Sequence, residues 1–194
     1  MKSLIQWLGV LVTITWSFAS NLDYVTTAGV VNIEPVIDGH IINDPAWESL
    51  PGINTFTQKS PDEGEPVTER TVVKVMYSSN TLYIGAVCYD ANPEKIVITD
   101  TRRDAPLNNT DSFMFILDTF QDQQNGYVFG TNAGGIEYDA QVSKGGEGMS
   151  ISTRRQSLGT GGAFNINWDS VWEVQTNLGD YGWSAEFAIP FKTL

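Results

Sequence analysis

The stretch Thr71-Val72-Val73-Lys74-Val75-Met76-Tyr77-Ser78-Ser79-Asn80-Thr81-Leu82-Tyr83-Ile84-Gly85-Ala86-Val87-Cys88-Tyr89 decides the fold class. Its first seven residues are dominated by β-branched side chains, which suit a pleated strand better than a helix. Ser78-Ser79-Asn80 supplies turn chemistry, and the run from Leu82 to Tyr89 is apolar on both faces. A strand covered on both sides reads this way, so the hairpin is predicted to lie centrally in a sheet. Cys88 falls inside it and is expected to be a packed core thiol.

Outward from this hairpin the same pattern repeats. Ser112 to Thr119 alternates, with Phe113, Phe115 and Leu117 on one face. Asn125-Gly126 signals a turn before Tyr127-Val128-Phe129. Gly134-Gly135 turns the chain into Ile136–Val142, with Ile136, Tyr138, Ala140 and Val142 on one side and Glu137, Asp139 and Gln141 on the other. Val171–Thr176 and Trp183–Ile189 form a last pair, and Pro190 suits the end of the second strand. Lys144–Gly162, rich in Gly, Ser and Thr, is predicted to be a long surface loop. The best helical candidate is only Pro45–Ser49. Many short strands at this spacing predict an all-β fold, a single antiparallel β-sandwich of jelly-roll or immunoglobulin-like type.

Composition narrows the function. The 194 residues hold 11 Lys+Arg against 23 Asp+Glu, a net charge of −12, which opposes binding to nucleic acid. With 41% hydrophobic and 11% aromatic residues, the chain has the material for a core. One cysteine and one histidine, His40, exclude an internal disulfide and Cys- or His-cluster metal sites. At the N-terminus Lys2, the apolar run Leu4–Phe18 and Ser17-Phe18-Ala19 resemble a cleaved secretory signal. The run is shorter than the roughly 20 residues that span a bilayer. Residues 1–20 are therefore expected to be a signal peptide and residues 21–194 an exported domain, in the periplasm, at the outer membrane or outside the cell.

No motif for nucleotide binding or nucleophilic catalysis is present, and no catalytic residue is assigned. Asp118, Asp122 and Asn125 crowd one turn and would offer oxygen ligands to calcium, although they lack the spacing of a dedicated calcium loop. No other cofactor is expected. Among the tryptophans, Trp172 and Trp183 alternate with apolar neighbours and read as core, and Trp47 as a plug beneath an N-terminal turn. Trp168 lies in the polar stretch Asn165-Ile166-Asn167-Trp168-Asp169 and is the candidate stacking surface for a sugar ring.

Ile37-Asp38-Gly39 followed by Asn43-Asp44-Pro45-Ala46-Trp47 resembles the opening signature of the family 9 carbohydrate-binding modules. Val75-Met76-Tyr77, Leu82-Tyr83-Ile84-Gly85, Asp90, Arg103-Asp104, Asp111-Ser112-Phe113 and Phe115-Ile116-Leu117-Asp118 continue it in order. So do Phe129 with Asn132 and Gly135, and the closing Gly182–Phe191. The resemblance runs over residues 33–194. It implies a β-sandwich that binds an oligo- or polysaccharide, of a kind associated with polysaccharide breakdown and often attached to glycoside hydrolases. The variant most similar to this chain stands at the N-terminus of bacterial envelope proteins ending in an outer-membrane β-barrel, so a C-terminal barrel partner and a longer parent chain are expected. Family members that bind sugar ends clamp them between two tryptophans, and this sequence does not match both.

Together with the polar strand faces, the resemblance points to Arg102, Arg103, Asp111, Asn132, Glu137, Asp139 and Trp168 as sugar-binding residues. A plain surface ion pair is the other reading of the two arginines. Two further functions stay open, a structural or interaction domain serving a barrel protein and a glycoside hydrolase.

Overall fold

Strand β3 (Thr81–Tyr89) organises the molecule because both of its faces are apolar and each finds a different cover. In this computed structural model, which describes residues 26–31, 33–144 and 164–194, β3 lies at the centre of a five-stranded sheet. The sheet runs in the order β1 (Gly29–Val30), β2 (Thr71–Tyr77), β3, β9 (Gly182–Pro190), β8 (Glu173–Gly179). Only the short β1–β2 pairing is parallel. A second, four-stranded antiparallel sheet runs β4 (Ser112–Leu117), β5 (Gly126–Asn132), β6 (Tyr138–Val142), β7 (Phe164–Asn165). The two sheets form the β-sandwich that the alternation predicts. Among the described residues no helix is long and apolar enough to cross a membrane.

The period of two along each strand sorts the side chains between the layers. Ile84 and Ala86 of β3, Val73 of β2, Val174 of β8 and Ala185, Phe187 and Ile189 of β9 face the second sheet. They meet Phe113, Phe115 and Leu117 of β4 and Tyr127 and Phe129 of β5. Phe187 packs edge-on against Phe115 with ring centroids 5.1 Å apart and lies parallel to Trp172 at 5.8 Å. Trp172 and Trp183 are core, as their alternation predicts.

Tyr83 and Val87 of β3 and Met76 of β2 point the other way, where Ile41 and Trp47 cover them. The sandwich thus carries a third layer on the outside of its first sheet, made by the segment around residues 37–50. Its one helical turn, α1 (Pro45–Glu48), starts where Asp44 Oδ1 accepts from the Ala46 N–H at 2.8 Å, with Pro45 in the first helical position. Lys74 Nζ closes the far end by donating to the Trp47 carbonyl at 2.7 Å. Trp47 is fully buried, the plug its sequence context predicts.

Two turns differ from their sequence reading. Asn125-Gly126 does not form a tight hairpin turn, because Gly126 already belongs to β5 and the connection spans residues 118–125. Gln121 and Gln123 take positive φ there, and side-chain carboxylates hold the loop in place of a two-residue turn. The expected strand from Ile136 begins at Tyr138, after the turn at Gly135 (φ 78°). Residues 1–20, the expected signal peptide, and all but Lys144 of the expected surface loop lie outside the described residues.

Candidate functional site

The loop from Val97 to Asp111 carries Arg103 to the open edge of the space between the sheets. Both ends of this loop are fixed. Asp111 N–H donates to the Val97 carbonyl at 2.9 Å, and Asp111 Oδ2 accepts from the Val97 N–H at 2.6 Å. Asn132, at the end of β5, donates through Nδ2 to the Asp100 carbonyl at 2.8 Å and accepts the Gly134 N–H on its Oδ1 at 2.9 Å. Asp100 in turn holds Arg102, its Oδ2 2.6 Å from Nη2, while Arg102 is otherwise in solvent. The Arg102 guanidinium pulls the Asp100 carboxyl well below the usual carboxylate range. Asp104 adopts φ 58°, which aspartate tolerates better than most residues, and its N–H donates to the Glu137 carbonyl at 2.9 Å.

That clamped loop aims Arg103 into a ring of acids. Nη2 donates to Asp139 Oδ1 at 2.7 Å and lies 2.6 Å from Asp169 Oδ1. Nη1 donates to Glu137, and Nε lies 3.8 Å from Asp104 Oδ2. Asp139 is completely shielded from solvent, and its second oxygen accepts the Ser170 N–H at 2.9 Å. In register Asp139 lies opposite Phe129, so it shares the inner face of its sheet with a core aromatic. Burial pushes the Asp139 carboxyl up, against the opposing pull of Arg103 and of the Ser170 N–H. Trp172 Nε1 lies near enough to act on this carboxylate in the same lowering sense, yet it closes no hydrogen bond of its own and stays buried. Partial burial works against the charge on Arg103, but Asp139, Glu137, Asp169 and Asp104 outweigh it and hold its pKa above the ordinary value.

The side chains of Arg103, Glu137 and Asp104 are each about one-third exposed, and Asp169 is largely so. One arginine against four carboxylates leaves the cluster with three formal negative charges if all are ionised. Beside it Trp168 packs against Tyr127, the ring centroids 4.7 Å apart and the planes tilted by 31°, and meets Phe129 edge-to-face at 6.0 Å. One face of Trp168 is thereby spent on the core, and the residue is half-buried rather than displayed.

Of the seven residues expected at a sugar site, Arg103, Glu137 and Asp139 form one cluster, and Trp168 adjoins it through Asp169. Asp111 and Asn132 anchor the loop that carries Arg103, and Arg102 pairs with Asp100 outside the cluster. Asp169, which the sequence reading missed as a partner, sits next to Trp168 in a polar stretch, and only that proximity signals it.

The carboxylates of the expected calcium turn are occupied by the loop itself. Asp118 accepts the N–H groups of Asp122 and Gln123, and Asp122 accepts those of Gln124 and Asn125 at 2.8 Å each. Asn125 Nδ2 also donates to Asp122 at 2.6 Å, and these bonds pull the Asp122 carboxyl below its ordinary range. Among the described residues no group of three or more His, Cys, Asp or Glu is arranged to hold a metal ion.

A second buried carboxylate lies on the opposite side of the first sheet. Glu186 Oε2 accepts the N–H groups of Asp38 (2.9 Å) and Gly39 (2.7 Å), and Oε1 accepts from Trp47 Nε1 at 2.6 Å. Next to it, Ser184 Oγ donates to the Gly39 carbonyl at 2.6 Å, which leaves Tyr181 as donor to Ser184 (2.7 Å) and Asn177 as donor to Tyr181 (3.0 Å). These residues fasten the covering segment to the sheet and lie away from the Arg103 cluster.

The molecule is therefore a β-sandwich with a covering segment and one acidic, arginine-centred cluster at the edge of the space between its sheets. Two solved structures of a carbohydrate-binding module family 9 domain from Caldicellulosiruptor kristjanssonii are similar to it. The structure in complex with cellotriose is 16% identical, covering 84% of this chain and 67% of its own, with a TM-score of 0.46. The structure in complex with glucose is 17% identical, covering 85% and 69%, with a TM-score of 0.42. No family model matches the chain, and no curated protein matches it either.

Proposed function

We propose that the chain is an exported carbohydrate-binding module, with its ligand held by the Arg103 cluster. The observation that carries this reading is the fixed guanidinium of Arg103, oriented from behind by the buried Asp139 and presented at the surface among Glu137, Asp104 and Asp169. Planar donors and acceptors held at set spacing suit the adjacent hydroxyls of a sugar, and their fixed positions lower the ordering cost of binding. Trp168 supplies an apolar edge next to them. In this reading Arg103, Glu137, Asp104 and Asp169 touch the ligand, Asp139 orients Arg103, and Asp111 and Asn132 shape the loop. Export rests on the apolar run Leu4–Phe18 behind Lys2. Service in polysaccharide breakdown beside a C-terminal outer-membrane barrel rests on the sequence resemblance alone, and calcium as an optional ligand rests on the crowding of Asp118, Asp122 and Asn125 at one turn.

The test is a glycan-array screen with and without calcium, followed by calorimetry on the best glycan. Glu137→Gln and Trp168→Ala are expected to weaken binding by about ten-fold or more, the equivalent of losing a charged hydrogen-bond partner or a stacking ring. If both folded variants bind like the parent, the site lies elsewhere. A second reading, a structural or interaction domain without sugar affinity, draws on the tilted Trp168–Tyr127 contact, which engages the indole within the protein. Absence of binding to every glycan on the array would favour it.

A further inference from the structure

The four sheet edges are not treated alike. The β2 edge is closed by β1 and by the bridge from Ile53 to Val73. The β7 edge is two residues long, and β8 carries Glu173, Gln175 and Asn177. The β4 edge has none of these protections. Ser112-Phe113-Met114-Phe115-Ile116-Leu117 contains no charge, proline or glycine, and it pairs with β5 in unbroken register. Uncharged, regular edges are what natural sheets ordinarily avoid, because they invite another strand.

The register shows which groups are free. Asp111 accepts the Ala133 N–H, so the hydrogen-bonded pairs with β5 fall at odd positions of β4. Alternation then turns the N–H and C=O groups of Ser112, Met114 and Ile116 outward. Among the described residues these backbone groups have no partner outside the ladder. Two of the three side chains at these positions are apolar and displayed, Met114 at 45% and Ile116 at 53% exposure, with Phe120 at 63% just beyond the strand. Gly130, opposite Met114 in register, has no side chain, and Leu107 packs over it beside Met114, leaving Met114 only partly covered.

We infer that the β4 edge is a docking site for an extended strand of a partner protein, bound by β-augmentation, with alternating apolar side chains and lysine or arginine at its ends. The free ladder groups require an extended backbone. Charge selects the ends: Asp111 precedes the strand, Asp118 and Asp122 follow it, and the chain carries −12 overall. An antiparallel second copy would set Asp111 beside Asp118 at both ends of the new pairing, which like-charge repulsion opposes.

The probe is a fluorescent ten-residue peptide of alternating threonine and valine with lysine at both ends, N-methylated along one edge so that it cannot stack on itself. Fluorescence anisotropy against the whole protein at low salt is expected to show saturable binding. A version with glutamate ends is expected to bind at least ten-fold more weakly, the gap narrowing as salt is raised. Met114→Pro removes an outward N–H without breaking the internal ladder and is expected to lower affinity at least ten-fold. Circular dichroism checks that this variant is folded, and Ile116→Lys decides the matter if it is not. Absence of saturable binding by the parent, or equal binding by the folded edge variant, overturns the inference. A parent dimer in sedimentation velocity that Ile116→Lys dissociates also overturns it, since the edge then belongs to a second copy.

Discussion

Trp47 Nε1 donates to Glu186 Oε1 at 2.6 Å across 139 residues of sequence, and both side chains are fully buried. Asp38 and Gly39 donate their N–H groups to the other oxygen of the same carboxylate. The Asp-Gly and Pro-Ala-Trp pieces of the opening signature and the Trp-Ser-Ala-Glu-Phe of the last strand are thus one structural unit. Gly39 sits at φ 85°, and a Cβ there would lie 2.5 Å from the Thr176 carbonyl carbon, so glycine is required twice over. A buried carboxylate is tolerable here because three donors converge on it.

Removing that acceptor strands three donors at once, those of Gly39 and Trp47 buried and that of Asp38 partly so. Glu186→Ala is expected to destabilise the fold by about 3 kcal/mol or more, and Glu186→Gln, which keeps one oxygen, by about 1–3 kcal/mol. Urea unfolding followed by tryptophan fluorescence measures both. Sugar binding by the Glu186→Gln protein, while folded, is expected to match the parent because Glu186 lies away from the Arg103 cluster.

Burial pushes the Glu186 carboxyl up, with the N–H donors of Asp38, Gly39 and Trp47 pulling the other way. A carboxyl whose folded pKa exceeds its unfolded value binds its proton more tightly when folded. Its favourable contribution is fully present below the ordinary glutamate value of about 4.3 and is lost as pH rises through the folded pKa. The stability difference between the parent and Glu186→Gln is therefore expected to favour the parent most at the acid end and less towards neutrality. Chemical denaturation of both proteins between about pH 4 and 7 checks the sign. Asp139, also raised, acts in the same direction in both proteins and cancels from the difference.

Arg103 and Asp139 are expected to be strongly coupled. Arg103→Ala leaves Asp139 charged and shielded from solvent, and its cost is expected to be about 2–4 kcal/mol, below the full cost for a buried pair because Arg103 is partly exposed. Asp139→Asn in the same chain should recover part of that loss. A double-mutant cycle by urea unfolding reads the coupling, and simple additivity would contradict the arrangement described.

Cys88 is expected to be inert in the folded protein. Burial pushes its thiol up to about 12, leaving almost no thiolate at neutral pH. Iodoacetamide at pH 7.5 should modify it only after denaturant is added, as intact-mass measurement would show.

The strands were legible in sequence because a sheet writes its burial locally, one residue in two. The central place of Leu82–Tyr89, the inward Phe113, Phe115 and Leu117, and the core positions of Trp172 and Trp183 all follow from that period. The turn and plug at Asp44–Trp47 are local as well, since cap, proline and indole lie within four residues. Tertiary structure alone decided which carboxylates are buried. Glu137 and Asp139 stand on the polar side of an alternating strand, which by itself describes a solvated face. Asp139 instead points between the sheets, because a loop more than 30 residues earlier brings Arg103 to neutralise it. Glu186 likewise occupies a polar position in β9 and is buried only because the segment around Trp47 closes over it. A periodicity reports which side a residue takes, but not what another part of the chain will lay on that side. Electrostatic compensation over such distances in sequence exists only once the chain has folded.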